Sequence, residues 1–78
     1  MSNLPSLKPK ELLAILLRLG WEITRQKGSH IQLKHKDKPG FRVTIPYHNH
    51  DLAPGTINSI IKQMGILRSD FEQLVKSH

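Results

Sequence analysis

Residues 21–34 have the sequence WEITRQKGSHIQLK, and this stretch decides the fold expected for the chain. Apolar and polar residues alternate on both sides of the Gly28-Ser29 pair, which is typical of two antiparallel strands joined by a tight turn. Gly28 allows a positive φ at no steric cost, as a tight hairpin turn or bulge requires. The stretch therefore predicts a β-hairpin whose second strand begins at His30.

The alternation in the second strand predicts the direction of its side chains. If Ile31 and Leu33 face the core, then His30, Gln32 and Lys34 project together from the opposite face. His30 cannot enter the core unless Ile31 and Leu33 turn toward water. The pattern therefore places a histidine on an open face of the sheet.

The segments before and after the hairpin extend the sheet. In the first strand Trp21, Ile23 and Arg25 share one parity, and the first half of this strand is expected to pack inward. Residues 36–40 have turn composition, and residues 41–46 resume the alternation. The side chains expected to face inward in this third strand are Phe41, Val43 and Ile45.

Helices are predicted on both sides of the strands. Residues 9–19 and 54–64 each begin with a proline, which suits a first helical turn, and each is followed by a glycine that ends the helix. Ser69 and Glu72 form a capping-box pattern for a short third helix. The apolar face expected for the first helix comprises Leu12, Leu13, Leu16 and Leu17, widened by Ile15 and Leu19.

The element order α-β-β-β-α, followed by a short C-terminal helix, predicts an α+β fold. Helices are expected to cover one face of a three-stranded antiparallel sheet and to leave the other face open. Residues 1–78 are expected to form a single domain, because no repeat, linker or low-complexity tract interrupts them. Residues 1–6 are expected to be flexible.

The chain is strongly basic, with 12 Lys and Arg residues, six Asp and Glu residues and a formal charge of +6. A polyanionic partner is the natural inference, although charge does not distinguish RNA, DNA, an anionic membrane or an acidic protein. A basic face that serves only solubility is the plainer alternative. The cations of the middle of the chain are Arg25, Lys27, Lys34, Lys36, Lys38 and Arg42, with only Asp37 among them.

Several classes of protein are disfavoured by composition. The absence of cysteine excludes a disulfide framework and a thiolate metal site. The longest apolar run, residues 12–17, is far below the roughly 18 residues that a membrane span needs. No secretory signal is visible. We therefore expect a cytoplasmic protein without a membrane partner.

Four pieces of the chain resemble, in order, the HicA family of small mRNA interferase toxins from bacterial toxin-antitoxin pairs. The match covers nearly the whole chain, and the Phe71 tail is also similar. The four pieces are Leu19-Gly20-Trp21, Gly28-Ser29-His30, Ile45-Pro46 followed by His48, and residues 52–64 with Pro54-Gly55-Thr56-Ile57 and Ile60.

The resemblance implies a fold like a double-stranded-RNA-binding domain and an mRNA endonuclease activity that needs no metal or other cofactor. It also implies that His30 is catalytic and that an antitoxin of the HicB type covers this histidine. Contact with operator DNA, if any, would be indirect, through that partner.

The residues around His30 suit such chemistry. His30 would take or give a proton, while the cations would hold the charge on the phosphate and a backbone N–H of the turn would donate to a phosphate oxygen. The plainer alternative is a hairpin turn followed by a half-exposed strand histidine. The expected RNA-binding residues are Arg25, Lys27, Gly28, Ser29, Gln32, Lys34 and Arg42.

The other histidines have less distinctive settings. His48 is a candidate for a second proton-transfer group, although capping its loop is as good an explanation. A zinc site of His48 and His50 with His30 and His35 is disfavoured, because Asp51 is the only carboxylate in that loop. We expect no metal. Two remaining assignments are that His35 and His78 are solvated and that Trp21 and Phe41 belong to the core.

Three functions are therefore open at this point. The leading one is an RNA-cleaving toxin that uses His30. The second is a non-catalytic RNA-binding module of the same fold, which would contact A-form shape and phosphates without needing His30. The third is a regulator whose basic face docks an acidic protein.

Overall fold

A computed structural model describes residues 6–77 of the chain. The helices are α1 (Pro9–Arg18), α2 (Pro54–Met64) and α3 (Arg68–Ser77), and the strands are β1 (Trp21–Lys27), β2 (His30–His35) and β3 (Arg42–Pro46). The strands form one antiparallel sheet in the order β1-β2-β3. The predicted α+β layout is confirmed. The expectation that residues 1–6 are flexible lies outside the described residues except at Ser6.

The helix ends follow the signals in the sequence. Pro9 opens α1, and the Glu11 side chain accepts a hydrogen bond from the backbone N–H of Lys8 at 2.8 Å. This bond satisfies one of the donors that a helix start leaves unpaired. Gly20, just after α1, has a φ of +96°, and Gly65, just after α2, has a φ of +72°. Both conformations favour glycine.

The core lies between one face of the sheet and the helices. Ile31 and Leu33 of β2 face it beside Ile45 and Val43 of β3, their direct cross-strand partners. α1 and α2 supply the opposing apolar surface, and Phe71 of α3 is fully buried. The buried residues of the helices and connections are Leu7, Pro9, Leu12, Ile15, Leu16, Leu52, Ile57, Ile60, Ile61, Met64 and Phe71.

Four side chains expected in the core are exposed instead. Leu17 and Leu19 of the first helix segment are 46% and 37% exposed, whereas Ile15 is buried. Ile23 is 45% exposed because β1 is an edge strand and the helices do not cover this part of it. Phe41 is 42% exposed because it precedes β3 at the end of the sheet.

α3 begins two residues earlier than the capping-box pattern indicates, because Ser69 as the N-cap would make Asp70 the first helical residue. Its first residue is Arg68, so Ser69 lies inside the helix. Glu72 does not reach back to cap this end. Its carboxylate instead lies 3.3 Å from Nε of Arg68, one turn before it. This (i, i+4) ion pair joins two side chains of the same helix face.

The outer edge of β3 is protected by α2. The backbone N–H of Thr44 donates a hydrogen bond to the side-chain oxygen of Gln63 at 2.9 Å. This contact fixes the helix against the sheet and uses a donor that an edge strand would otherwise leave open to another chain. Within residues 6–77 there is no helix of the length and apolar character that a membrane span requires.

Replacing Gly65 with alanine is expected to destabilise the fold by at least about 1 kcal/mol, since its φ of +72° strains any residue with a Cβ. The new Cβ would also meet the ring of Phe41, 2.9 Å from Cζ. Gly55→Ala is the matched control, because this helical position has open space around it. The control should be neutral or stabilising by up to about 1 kcal/mol. Urea unfolding of both variants measures the difference, and equal stabilities would contradict the expectation.

Candidate functional site

The face of the sheet turned away from the helices carries three rows of cross-strand neighbours. The strand register aligns Glu22, Lys34 and Arg42 in the first row, Arg25, Gln32 and Thr44 in the second, and Lys27, His30 and Pro46 in the third. Side chains directly opposite each other in an antiparallel pair share a face. We call these nine residues the open face. It brings together every charged or polar strand residue expected to bind RNA.

A β-bulge at Thr24 places Arg25 on the open face. Ile23 pairs with Leu33 and Arg25 pairs with Gln32, so Thr24 has no partner of its own in the register. The extra residue reverses the parity of the rest of β1. The expected sharing of one face by Ile23 and Arg25 is therefore wrong. The side chain of Thr24 donates a hydrogen bond to the backbone oxygen of Gln32 at 3.3 Å.

The charge of the open face is strongly unbalanced. Lys34 and Arg42 are direct cross-strand neighbours, and Arg25 and Lys27 add two further exposed cations. Glu22 is the one carboxylate in the three rows. Like charges directly opposite each other destabilise a sheet. The arrangement favours a polyanionic ligand, which would neutralise the cations together.

The hairpin turn lies at one end of the open face. Gly28 has a φ of +57°, and a Cβ at this position would have no atom within 4 Å. The turn is fixed against the chain after β3, because the backbone N–H of Tyr47 donates to the Ser29 oxygen at 2.5 Å. Gly28 and Ser29 therefore form an open, anchored turn that a phosphate group can approach.

His30 is exposed at the first position of β2, directly beside this turn. Its neighbours across the strands are Lys27 and Pro46. Within the described part of the chain, neither ring nitrogen of His30 has a hydrogen-bond partner. Both nitrogens are thus available to a ligand that lies on the open face.

His48 follows β3 near the same end of the sheet, but its ring is engaged in the loop. Its Nδ1 accepts a hydrogen bond from the backbone N–H of His50 at 3.1 Å, and the two rings lie 5.4 Å apart. While this bond is formed, the proton of a neutral ring is on Nε2, which can only donate. The geometry thus shows the loop-capping contact that was one of the two explanations for His48.

A small hollow beside His48 contains two lysines that the sequence analysis did not single out. Lys8 and Lys10, at the start of α1, line it together with Tyr47, His48 and Asn49. Tertiary packing brings these distant segments together through the hydrogen bond from the Leu52 N–H to the Leu7 oxygen, at 2.8 Å. No local spacing in the sequence indicates this proximity.

The expectation that His35 is solvated is wrong. Its ring meets the ring of Trp21 edge-on, with centroids 5.4 Å apart. Nε2 lies 2.9 Å from the backbone oxygen of Leu19, and Nδ1 accepts from the N–H of Asp37 at 3.1 Å. His35 therefore holds the end of α1 to the turn after β2. His78 lies outside the described residues.

No three His, Cys, Asp or Glu side chains are grouped as metal ligands in residues 6–77. His30, His35, His48 and His50 do not form such a group. His35 binds backbone atoms, while His48 and His50 contact each other.

Comparison with known protein families matches residues 9–66 to the HicA toxin family of bacterial toxin-antitoxin systems. The matched region contains α1, the complete sheet and α2, and hence all of the open face. A search of curated proteins gives no match.

Replacing Arg25 with glutamine is expected to weaken the binding of single-stranded RNA and to lower its dependence on salt. Each phosphate contact that is lost reduces the slope of log K against log salt by about 0.7. Lys62→Gln removes the same charge from an exposed position of α2, away from the open face. It should leave the slope unchanged. Fluorescence anisotropy over a series of salt concentrations measures both slopes. Identical changes in the two variants would argue against the open face as the surface that binds RNA.

Proposed function

The chain belongs to the HicA toxin family, and on this basis we propose that it is an mRNA endoribonuclease that uses His30 and needs no metal. Membership of the family makes it the toxin of a bacterial toxin-antitoxin pair. The observation that carries the proposal is the position of His30 on the open face, with both ring nitrogens free among residues 6–77.

The reaction needs a proton acceptor and a proton donor near one phosphate. The ribose 2′-oxygen loses its proton and attacks the adjacent phosphorus, and the bond from phosphorus to the 5′-oxygen of the next nucleotide breaks. The products are a 2′,3′-cyclic phosphate and a 5′-hydroxyl group. The imidazole of His30 takes the proton of the 2′-hydroxyl and returns it to the leaving oxygen.

The neighbours of His30 stabilise the negative charge that develops on the phosphate. Lys27 lies directly across the strands from His30, and Arg25 lies in the next row. The exposed Gly28-Ser29 turn offers backbone N–H groups to a non-bridging oxygen. Gln32, Lys34 and Arg42 continue the contact surface along the sheet and bind the flanking phosphates.

His48 is proposed as a hydrogen-bond donor to the RNA and not as a second acid or base. Its Nδ1 accepts the His50 N–H, so its Nε2 proton points away from that bond. Protonation of Nδ1 would place its N–H opposite the backbone N–H of His50. Two donors cannot form a hydrogen bond, so the contact would break. Proton transfer by His48 therefore requires the loop to rearrange.

The proposed partner is an antitoxin of the HicB type that covers the open face. Four cations with one carboxylate among them present a surface that an acidic partner complements. An antitoxin bound there would exclude RNA and occlude His30. Inhibition and substrate binding would then use the same surface.

Replacing His30 with alanine is expected to lower RNA cleavage roughly 100- to 10,000-fold, because it removes the proton-transfer group. The assay incubates purified protein with a defined single-stranded RNA in excess EDTA, and the products are analysed for a 2′,3′-cyclic phosphate. RNA affinity should persist, since the cations remain. The matched control is His50→Ala, which removes another exposed imidazole but keeps the backbone N–H that binds His48. Circular dichroism confirms that each variant is folded.

Cleavage by the His30→Ala protein at the wild-type rate would refute the catalytic role of His30. Binding of RNA without cleavage by either protein would instead support a non-catalytic RNA-binding module. His48→Ala is measured alongside. A loss as large as that of His30→Ala would assign proton transfer to His48, whereas a small loss would agree with the donor role.

A further inference from the structure

A hollow opens at the end of the sheet that is farthest from the Gly28-Ser29 turn. It lies at the connection between β2 and β3 and combines an aromatic ring with several cations, a combination typical of sites for single-stranded nucleic acid. We call it the Phe41 hollow. The residues that line it are Lys34, His35, Lys36, Lys38, Pro39, Gly40, Phe41 and Arg42.

Gly65 and Lys38 hold the ring of Phe41 in place. Gly65 lies along the Cδ2–Cε2–Cζ side of the ring, so close that no Cβ would fit there. The Lys38 ammonium lies 5.4 Å from the ring centroid and donates to the backbone oxygen of Met64 at 2.7 Å. Phe41 is nevertheless 42% exposed, and it lines the hollow. It is therefore a fixed aromatic surface that is open to a ligand.

The cations of the Phe41 hollow differ in whether they contact the rest of the protein. Lys38 is engaged with the end of α2, whereas Lys34, Lys36 and Arg42 are exposed. No carboxylate of residues 6–77 lines the hollow. The hollow therefore offers positive charge and an apolar ring in one place, as an RNA strand with alternating phosphates and bases requires. An acidic protein would need only the charge.

We propose that the Phe41 hollow binds a base and the adjacent phosphates of the RNA strand that is cut at His30. The base stacks on Phe41, and the phosphates contact Lys34, Lys36 and Arg42. Four residue steps of β2 separate His30 from Lys34, a distance of about 13 Å. The hollow thus anchors the substrate at one end of the open face and positions it for cleavage at the other. The inference rests on the proposed function.

The test compares variants in a His30→Ala background, so that the RNA stays intact during binding. Phe41→Leu removes the aromatic face but retains apolar contact with Gly65, and Phe41→Trp retains stacking. Leu17→Ala is the control for an exposed apolar side chain outside the hollow. The probes are a fluorescein-labelled oligoadenylate and a matched oligomer of abasic ribose phosphate. Fluorescence anisotropy gives the affinities, and circular dichroism confirms folding.

Phe41→Leu should weaken oligoadenylate binding at least about 5-fold, because the stacking of one base is lost. The salt slope should not change, because every phosphate contact remains. The variant should bind the abasic oligomer as tightly as its parent does. Phe41→Trp and Leu17→Ala should retain the parental affinity for both probes. Lys36→Gln should lower the salt slope by about 0.7 with either probe.

Unchanged oligoadenylate affinity in Phe41→Leu would overturn the proposal and would favour a protein as the ligand of the hollow. An equal loss of affinity for the abasic oligomer would also overturn the proposal. The Phe41 ring would then support the shape of the hollow and would not stack on a base. Absence of RNA binding by the His30→Ala parent at low salt would refute the proposed function together with this inference. Normal binding by the parent with no effect of Phe41 would refute the inference alone.

Discussion

The opposite burial of neighbouring residues along β2 is the constraint on which the rest of this structure depends. Ile31 and Leu33 are 3% and 0% exposed, and their cross-strand partners Ile45 and Val43 are fully buried. Burying one such side chain contributes about 1.5–3 kcal/mol. Turning the whole sheet over would expose all four side chains, at a cost comparable to the whole stability of a small domain, about 5–15 kcal/mol. The core therefore fixes the direction of His30, although His30 itself contributes nothing to the core.

Because the helices cover only one face, the other face is free to carry charges that do not stabilise the fold. Lys34 and Arg42 lie directly opposite each other, an arrangement that costs a few tenths of a kcal/mol to about 1 kcal/mol. Salt and water screen part of this repulsion at an exposed site. A bound polyanion would remove the rest. The same charge that slightly destabilises the free protein would then contribute to binding RNA or an acidic antitoxin.

Local signals in the sequence predicted the regular parts of the fold and failed where contacts are distant. The alternation in β2 and the prolines and glycines at the helix ends predicted the element order and the open position of His30. The bulge at Thr24 was not predictable, because an extra residue in a strand leaves no mark in composition. His35 was misassigned because its contact with the Leu19 oxygen spans sixteen residues. Phe41 has the parity of a core residue in the sequence. It is exposed because the helices do not fully cover this end of the sheet, which the sequence does not indicate.

The hydrogen bonds of the ring nitrogens separate the histidines more clearly than their positions in the sequence do. Both nitrogens of His35 are bonded to the backbone, and one nitrogen of His48 is bonded to the N–H of His50. A bonded ring nitrogen of His35 or His48 can exchange a proton with a ligand only after its hydrogen bond within the protein has broken. His30 has no such bond within the described residues, and it adjoins a turn with open space at Gly28. An RNA phosphate can therefore reach His30 without displacing any contact of the protein, which supports the proton-transfer role proposed for this residue.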